Sequence, residues 1–154
     1  MKITDYLSAP ALSSALFNEV FSRFPMEGIH VPPASFIDLQ GKIVEYTGKS
    51  MVTVFPVLPR QTNPIGILQG GILTAFMDDT IGPLSYLTAK KPVVTLNFTM
   101  NFIRNAKPGD SIIVRAELVS RSLSTLFFKA DAFNQSGKLV GTMTSQNLIL
   151  RGKE

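Results

Sequence analysis

Residues 63–87 read NPIGILQGGILTAFMDDTIGPLSYL, and this stretch decides the fold. It opens on a turn, Asn63-Pro64-Ile65-Gly66, and then sets Gly70-Gly71 directly before an apolar run. Paired glycines in that place suit a backbone that must approach something closely as a helix begins. The helix expected from about Gly70 has almost no polar face. Leu73, Phe76, Met77, Ile81 and Leu84 make a large apolar surface, while Gly71, Thr74, Ala75, Asp78 and Gly82 make a stripe of small residues. A helix apolar nearly all round is expected to be buried, and the small stripe lets another backbone pack closely. Asp78 lies on that stripe, and a buried carboxylate needs a reason. Asp79 lies about 100° further round the helix, off the stripe. Pro83 removes one backbone donor and crowds the turn before it, so a kink is expected there, or an end with a short continuation to about Thr88.

Working outward, residues 11–24, ALSSALFNEVFSRF, read as an amphipathic helix with Leu12, Leu16, Val20 and Phe24 at near-helical spacing. Pro10 stands near its start and Pro25 after its end, and the helix is expected to cap the core. Residues 27–35 form a loop with Pro32-Pro33, and residues 36–39 are too short to assign. Residues 42–46 and 50–56 read as strands joined by Thr47-Gly48-Lys49. Pro59, Pro64 and Gly66 keep residues 58–68 irregular.

After the helix, Ala89-Lys90-Lys91-Pro92 forms the exit loop and four strands follow, at 93–104, 111–120, 123–134 and 138–150. Pro108-Gly109-Asp110 and Gln135-Ser136-Gly137 are the turns among them, and Leu96, Phe98, Met100 and Phe102 are expected on one face. This order gives an α+β domain, one curved antiparallel sheet wrapped around one long helix, in a single unit over residues 1–154.

Composition narrows the function classes. A hydrophobic fraction of 45% marks a globular chain, and the absence of cysteine removes disulfides and thiol nucleophiles. No apolar run reaches membrane-spanning length, and residues 1–14 carry no continuous signal-type apolar segment, so a cytoplasmic protein is expected. The net charge of +4 is scattered, without a basic cluster interleaved with aromatics, so neither nucleic acid nor membrane is an expected partner. The lone histidine, His30, sits in the Pro-rich segment GIHVPPAS and reads as a loop residue. A multi-histidine metal site is excluded, and a catalytic base would then be a carboxylate.

Asn63, the triplet Gln69-Gly70-Gly71 and Asp78, in that spacing, resemble the hotdog-fold acyl-CoA thioesterases of the phenylacetate-degradation (PaaI-like) type, in the 4-hydroxybenzoyl-CoA thioesterase superfamily. Those carry Asn, then His-Gly-Gly, then an acidic residue nine positions after the His. Here Asn63 precedes Gln69 by six positions and Asp78 follows it by nine, with Gln69 in place of the His. The resemblance extends through VVTLNFTMNFIRNA at 93–106 and the strands beyond.

The resemblance implies a hotdog fold and hydrolysis of an acyl-CoA to a carboxylic acid and free CoA. It makes Asp78 a general base toward water, or the nucleophile at the thioester carbonyl. The Gly70 N–H, free of intrahelical partners at a helix start, can stabilise the oxyanion, with Gly71 beside it on the substrate. Gln69 can donate to a carbonyl but cannot shuttle a proton near neutral pH, so it is expected to position substrate. Asn63 either contacts the substrate carbonyl or simply forms an Asn-Pro turn. Thr95 occupies the place where relatives carry Ser or Thr near the attacking water, although a β-branched strand residue needs no such role. Arg104 and Lys107 could meet the phosphates of coenzyme A. No metal and no bound cofactor are expected beyond the CoA of the substrate.

Two other readings stand beside this one. The loss of His at Gln69 speaks for an acyl-CoA-binding protein without hydrolysis, and retention of Asp78 speaks against it. A hotdog hydratase or dehydratase usually works with a His and an acid, and His30 lies outside the expected place. A homodimer is expected, with a dimer of dimers as a further step, since eight residues of helix separate Gly70 from Asp78.

Overall fold

In a computed structural model, which describes residues 2–23 and 30–151, the chain forms three α-helices and six strands. These are α1 (Ser13–Arg23), α2 (Ala34–Asp38), β1 (Lys42–Tyr46), β2 (Ser50–Pro56), α3 (Gly70–Ala89), β3 (Val93–Phe102), β4 (Ser111–Arg121), β5 (Thr125–Asn134) and β6 (Leu139–Ile149). The strands make one antiparallel sheet in the order β1-β2-β4-β5-β6-β3, and α3 packs across it. This is the hotdog arrangement expected from the sequence. Among the described residues, no helix is long and apolar enough to cross a membrane.

The helix presents its large face to the sheet. Leu73, Phe76, Met77, Ile81 and Leu84 are all buried. Phe76 stacks on Phe55 of β2 with ring centroids 4.5 Å apart. From Phe55 the rings continue edge-on to Phe36 of α2 and then to Phe17 of α1, at 6.1 and 4.9 Å. This ladder joins α3, the sheet and the two short helices. It also explains α2, which residues 36–39 left unassigned: five residues are too few to stand alone, and its buried Phe36 holds it down. A Cβ at Gly41 would lie 2.7 Å from both the Phe36 and Phe55 rings, so only glycine fits there.

Several expectations shift. The helix runs through Pro83 to Ala89 without ending, although Pro83 still removes the bond that the Asp79 carbonyl would accept. Lys90, in the left-handed conformation, closes the helix with its N–H on the Tyr86 carbonyl. The small stripe is not buried: Gly71 is exposed, and Thr74, Ala75, Asp78 and Gly82 are half-buried. Leu12 precedes α1 and is exposed. Its N–H donates to the Ile43 carbonyl, and Phe17 joins Leu16 and Val20 in the buried face instead. Phe24, Pro25 and loop residues 27–29 lie outside the described residues. A 3-10 turn at Ile3–Ser8, unforeseen, seats Tyr6 against Val44, Val52 and Ile113.

β3 is an edge strand, and its register shifts between Thr95 and Asn97. Thr95 pairs with Asn147, but Phe98, Met100 and Phe102 pair with Ser145, Met143 and Gly141. Paired residues share a face, so Leu96 does not stand with the other three; it falls at the bulge.

Phe76→Ala should cost about 3–5 kcal/mol, as deletion of a fully buried ring does, read as a lower urea midpoint with the same slope.

Candidate functional site

The sequence-predicted residues fall into two groups at different levels of α3. The first lies at its N-terminus. Gln69 is the N-cap residue, in an extended conformation, and its side chain makes no capping bond. It is exposed and lies near Gly71, where an added Cβ would be 3.7 Å from Oε1. The N–H groups of Gly70 and Gly71 are in the first turn and have no intrahelical carbonyl to reach. Thr74 donates back to the Gly70 carbonyl at 2.9 Å. A cavity of about 170 Å³ opens here, lined by Asn63, Gly70, Leu73, Phe102 and Arg104 among others. A Cβ at Gly70 would lie 3.0 Å from the exposed Phe102 ring, which would have to give by a few tenths of an ångström.

Asn63 fills the turn reading of its two roles and keeps part of the other. Its Oδ1 accepts from the N–H groups of Ile65 and Ile67, at 3.1 and 3.3 Å, and so closes the loop before the helix. That leaves the amide nitrogen as what it can offer the cavity. Arg104 reaches the same cavity while donating to the Leu139 carbonyl at 2.8 Å. Lys107 is exposed at the following turn, where its backbone N–H donates to Asp110.

The second group lies midway along the helix. Asp78 is half-buried on the open stripe, and Thr95 Oγ1 of β3 donates to its Oδ1 at 3.3 Å. Burial pushes the Asp78 carboxyl above the usual range, and the Thr95 bond pulls it partly back. Behind Thr95 stand two residues that sequence reasoning missed. Asn147 donates to Thr95 Oγ1 at 3.2 Å, and Ser145 donates to Asn147 Oδ1 at 2.9 Å. Both lie on the inner face of β6 between Met143 and Ile149, and the period-2 pattern of MTSQNLI was the available signal.

Asp79 faces the other way. Ser35 donates to its Oδ1 at 3.4 Å, and its Oδ2 is buried without a hydrogen-bond partner among the described residues. It lines a mostly apolar cavity of about 150 Å³ with Phe17, Val20, Phe36, Gly82 and His30. Burial, then the neighbouring Asp78 charge, pushes its carboxyl up to about 6. His30 thus lines the same cavity as Asp79, away from the helix N-terminus.

Within one chain the two groups do not meet. Eight residues of unbroken helix place Gly70 and Asp78 roughly 12 Å apart along the axis. The helix start offers free donors beside a cavity. The middle of the stripe offers a carboxylate held by a hydroxyl.

Comparison with known proteins agrees with the fold. The human acyl-coenzyme A thioesterase 13 is 29% identical over 111 residues, covering 69% of this chain and 79% of that protein. The phenylacetic acid degradation-related protein of Ralstonia eutropha JMP134 is 30% identical, with a TM-score of 0.73 over 84% of this chain and 99% of that one. The PaaI protein of the E. coli phenylacetic acid degradation operon superposes with a TM-score of 0.76 at 18% identity, over 93% of this chain and 99% of that one. The family model described as thioesterase superfamily matches residues 65–141, from the turn before α3 into β6. The chain therefore belongs to the thioesterase superfamily.

Proposed function

We propose that the protein is an acyl-CoA thioesterase in which Asp78 drives hydrolysis. The observation that carries this is the Asp78 carboxylate itself, half-buried on a stripe of small residues that the chain leaves open, with Thr95 hydrogen-bonded to it. Burial raises its affinity for a proton, which suits a base. Relatives named as acyl-coenzyme A thioesterases supply the substrate class.

In this reading the thioester carbonyl sits on the Gly70 N–H, with Gly71 beside it. Asp78 takes a proton from water as the oxygen bonds to the carbonyl carbon, or attacks that carbon itself. The oxyanion forms on the helix-start donors, collapses, and expels the CoA thiolate, which recovers the proton held by Asp78; where Asp78 attacks directly, the thiolate leaves behind an Asp78 mixed anhydride, and water hydrolyses it, freeing the acid and supplying the thiolate's proton. Gln69 and the Asn63 amide orient the carbonyl, and Arg104, with Lys107 at the turn beyond, meets coenzyme A phosphate. The carboxylate and the backbone donors suffice for these steps without a metal or an organic cofactor.

Asp78→Asn should lower turnover at least about a hundredfold with folding intact, on the usual scale for loss of a general base. Asp79→Asn should matter much less for turnover and should change stability instead. The folded-state carboxyl of Asp79 is raised to about 6, so between its ordinary value and 6 the folded chain holds the extra proton. Stability from this group is present at low pH and falls as pH rises through that window. The Asn variant should therefore melt higher than wild type at pH 7 and close to it at pH 4. Equal activity losses at both positions would defeat the assignment.

Gln69→Ala should reduce activity while leaving the shape of the pH profile unchanged. A titrating limb that vanished with the substitution would show that Gln69 takes part in proton transfer.

The site is proposed to be shared between two chains. A carbonyl must sit within about 3 Å of its donor and close to the attacking oxygen, which one helix cannot provide over roughly 12 Å. Two copies of α3, antiparallel across a two-fold axis, bring Gly70 of one chain to Asp78 of the other. The open small stripe supports this. So does the β3 edge, where Leu96, Phe98, Phe102 and the following Ile103 expose large apolar surface. A dimer of dimers can be built from the same unit.

Two inactive variants test it. Asp78→Asn removes the base, and Gly70→Pro removes the donor at a position where helices accept proline; the exposed Phe102 ring has room to turn from the added atoms. Refolded together, they should regain by random assortment about a quarter of wild-type activity at most. Mixed dimers as inactive as their parents would rule out a shared site.

A further inference from the structure

Two polar side chains on the buried face of β6 have no place in the reaction as described. Ser145 is 1% exposed and Asn147 is 2% exposed, and both lie among core residues. Such groups are costly to bury unless they are fully bonded. Their bonds lead to one place: Ser145 to Asn147, Asn147 to Thr95, Thr95 to Asp78.

The direction of each bond follows from the end of the chain. An ionised carboxylate only accepts, so Thr95 must donate its one hydroxyl proton to Asp78. The Thr95 oxygen is then free only to accept, and Asn147 must turn its NH₂ toward it. That leaves Asn147 Oδ1 facing Ser145, whose hydroxyl donates to it at 2.9 Å. The Asn97 carbonyl, 3.4 Å from the same hydroxyl, is the longer arm of that donor. Reversing the Asn147 amide would make Thr95 donate to Asn147 and turn a lone pair toward Asp78. The bulge after Thr95 contributes too, since it keeps Thr95 directly opposite Asn147 while shifting the rest of β3 by one residue.

We propose that Asn147, oriented by Ser145, is a positioning residue that fixes Thr95 as a one-way donor to the Asp78 carboxylate. It touches neither substrate nor water. It acts by removing the alternatives open to the Thr95 hydroxyl, which stands on an exposed edge strand and would otherwise turn toward solvent. The inference rests on Asp78 being the working carboxylate. The groups that bear on Asp78 are Thr95 from β3 and the titratable Asp79 on its own helix.

Asn147→Leu keeps the branching and length of the side chain but cannot donate. It should lower kcat about tenfold, on the scale of one hydrogen bond to a charged group, with KM little changed. The acidic limb of the pH profile should move upward, because the bond that favours ionised Asp78 is weakened. In a Thr95→Val background the same substitution should change neither quantity further, since the hydroxyl it orients is gone. The carboxyl-carbon NMR signal of Asp78 should titrate at higher pH in Asn147→Leu, a readout that needs no turnover. Ser145→Ala, a smaller change to the core, should move that midpoint the same way by less and serves if Asn147→Leu does not fold. A merely structural Asn147 would lower the melting temperature, leave the Asp78 titration at its wild-type position, and add in full to Thr95→Val; that result overturns the proposal. If the wild-type chain releases no thiol from any acyl-CoA, the thioesterase reading fails, and the NMR titration alone still decides the role of Asn147.

Discussion

One helix must satisfy two opposed surfaces, and the rest of the structure follows from that division. The large face of α3 is held by the sheet through Leu73, Phe76, Met77, Ile81 and Leu84. The aromatic ladder from Phe76 through Phe55 and Phe36 to Phe17 extends the same core outward to α1 and α2. Once the large face is committed, the orientation of the small face is no longer free. The stripe from Gly71 to Gly82 must point away from the chain's own core, next to the exposed β3 edge. Burial of one side thus places Asp78 on the other, at fixed depth and beside Thr95. The packing energy of the core aims the carboxylate.

Much of this was legible in the sequence. Residues 42–46 and 50–56 were bounded by a Gly-containing turn and matched β1 and β2. The later strands were bounded by turns whose Gly109 and Gly137 do adopt positive φ. The five large residues of α3 showed its buried face directly. The motif spacing picked out Asp78, and Thr95 proved to be bonded to it. What failed depended on tertiary contact. Pro83 suggested an interruption, but packing on both sides of it, at Ile81 and Leu84, outweighs one lost bond. The alternation of Leu96 with Phe98 was broken by a bulge, and no local signal in VTLNFTM marks one. Asn147 and Ser145 look like solvent-facing residues of a strand that is polar on both faces. Only the odd-numbered register of Met143 and Ile149 places them inside.

The two carboxylates on consecutive residues of α3 show how environment separates equal side chains. Both are half-buried and both lean toward the protonated form. Asp79 looks toward Phe17, Val20 and Phe36, with one long bond from Ser35 and an oxygen left without a partner among the described residues. Asp78 looks toward Thr95, whose donation is backed by Asn147 and Ser145. Adjacent acids that interact share their protonation. The Asp79 charge rests on the one bond from Ser35, and burial with the neighbouring Asp78 charge pushes its carboxyl up to about 6. Hydrogen bonding favours the charged form of Asp78 through a longer chain of donors, on the side where the stripe is open. In the proposed reaction, a strand on the far side of Thr95 thereby helps set which of two adjacent helix residues serves as the base.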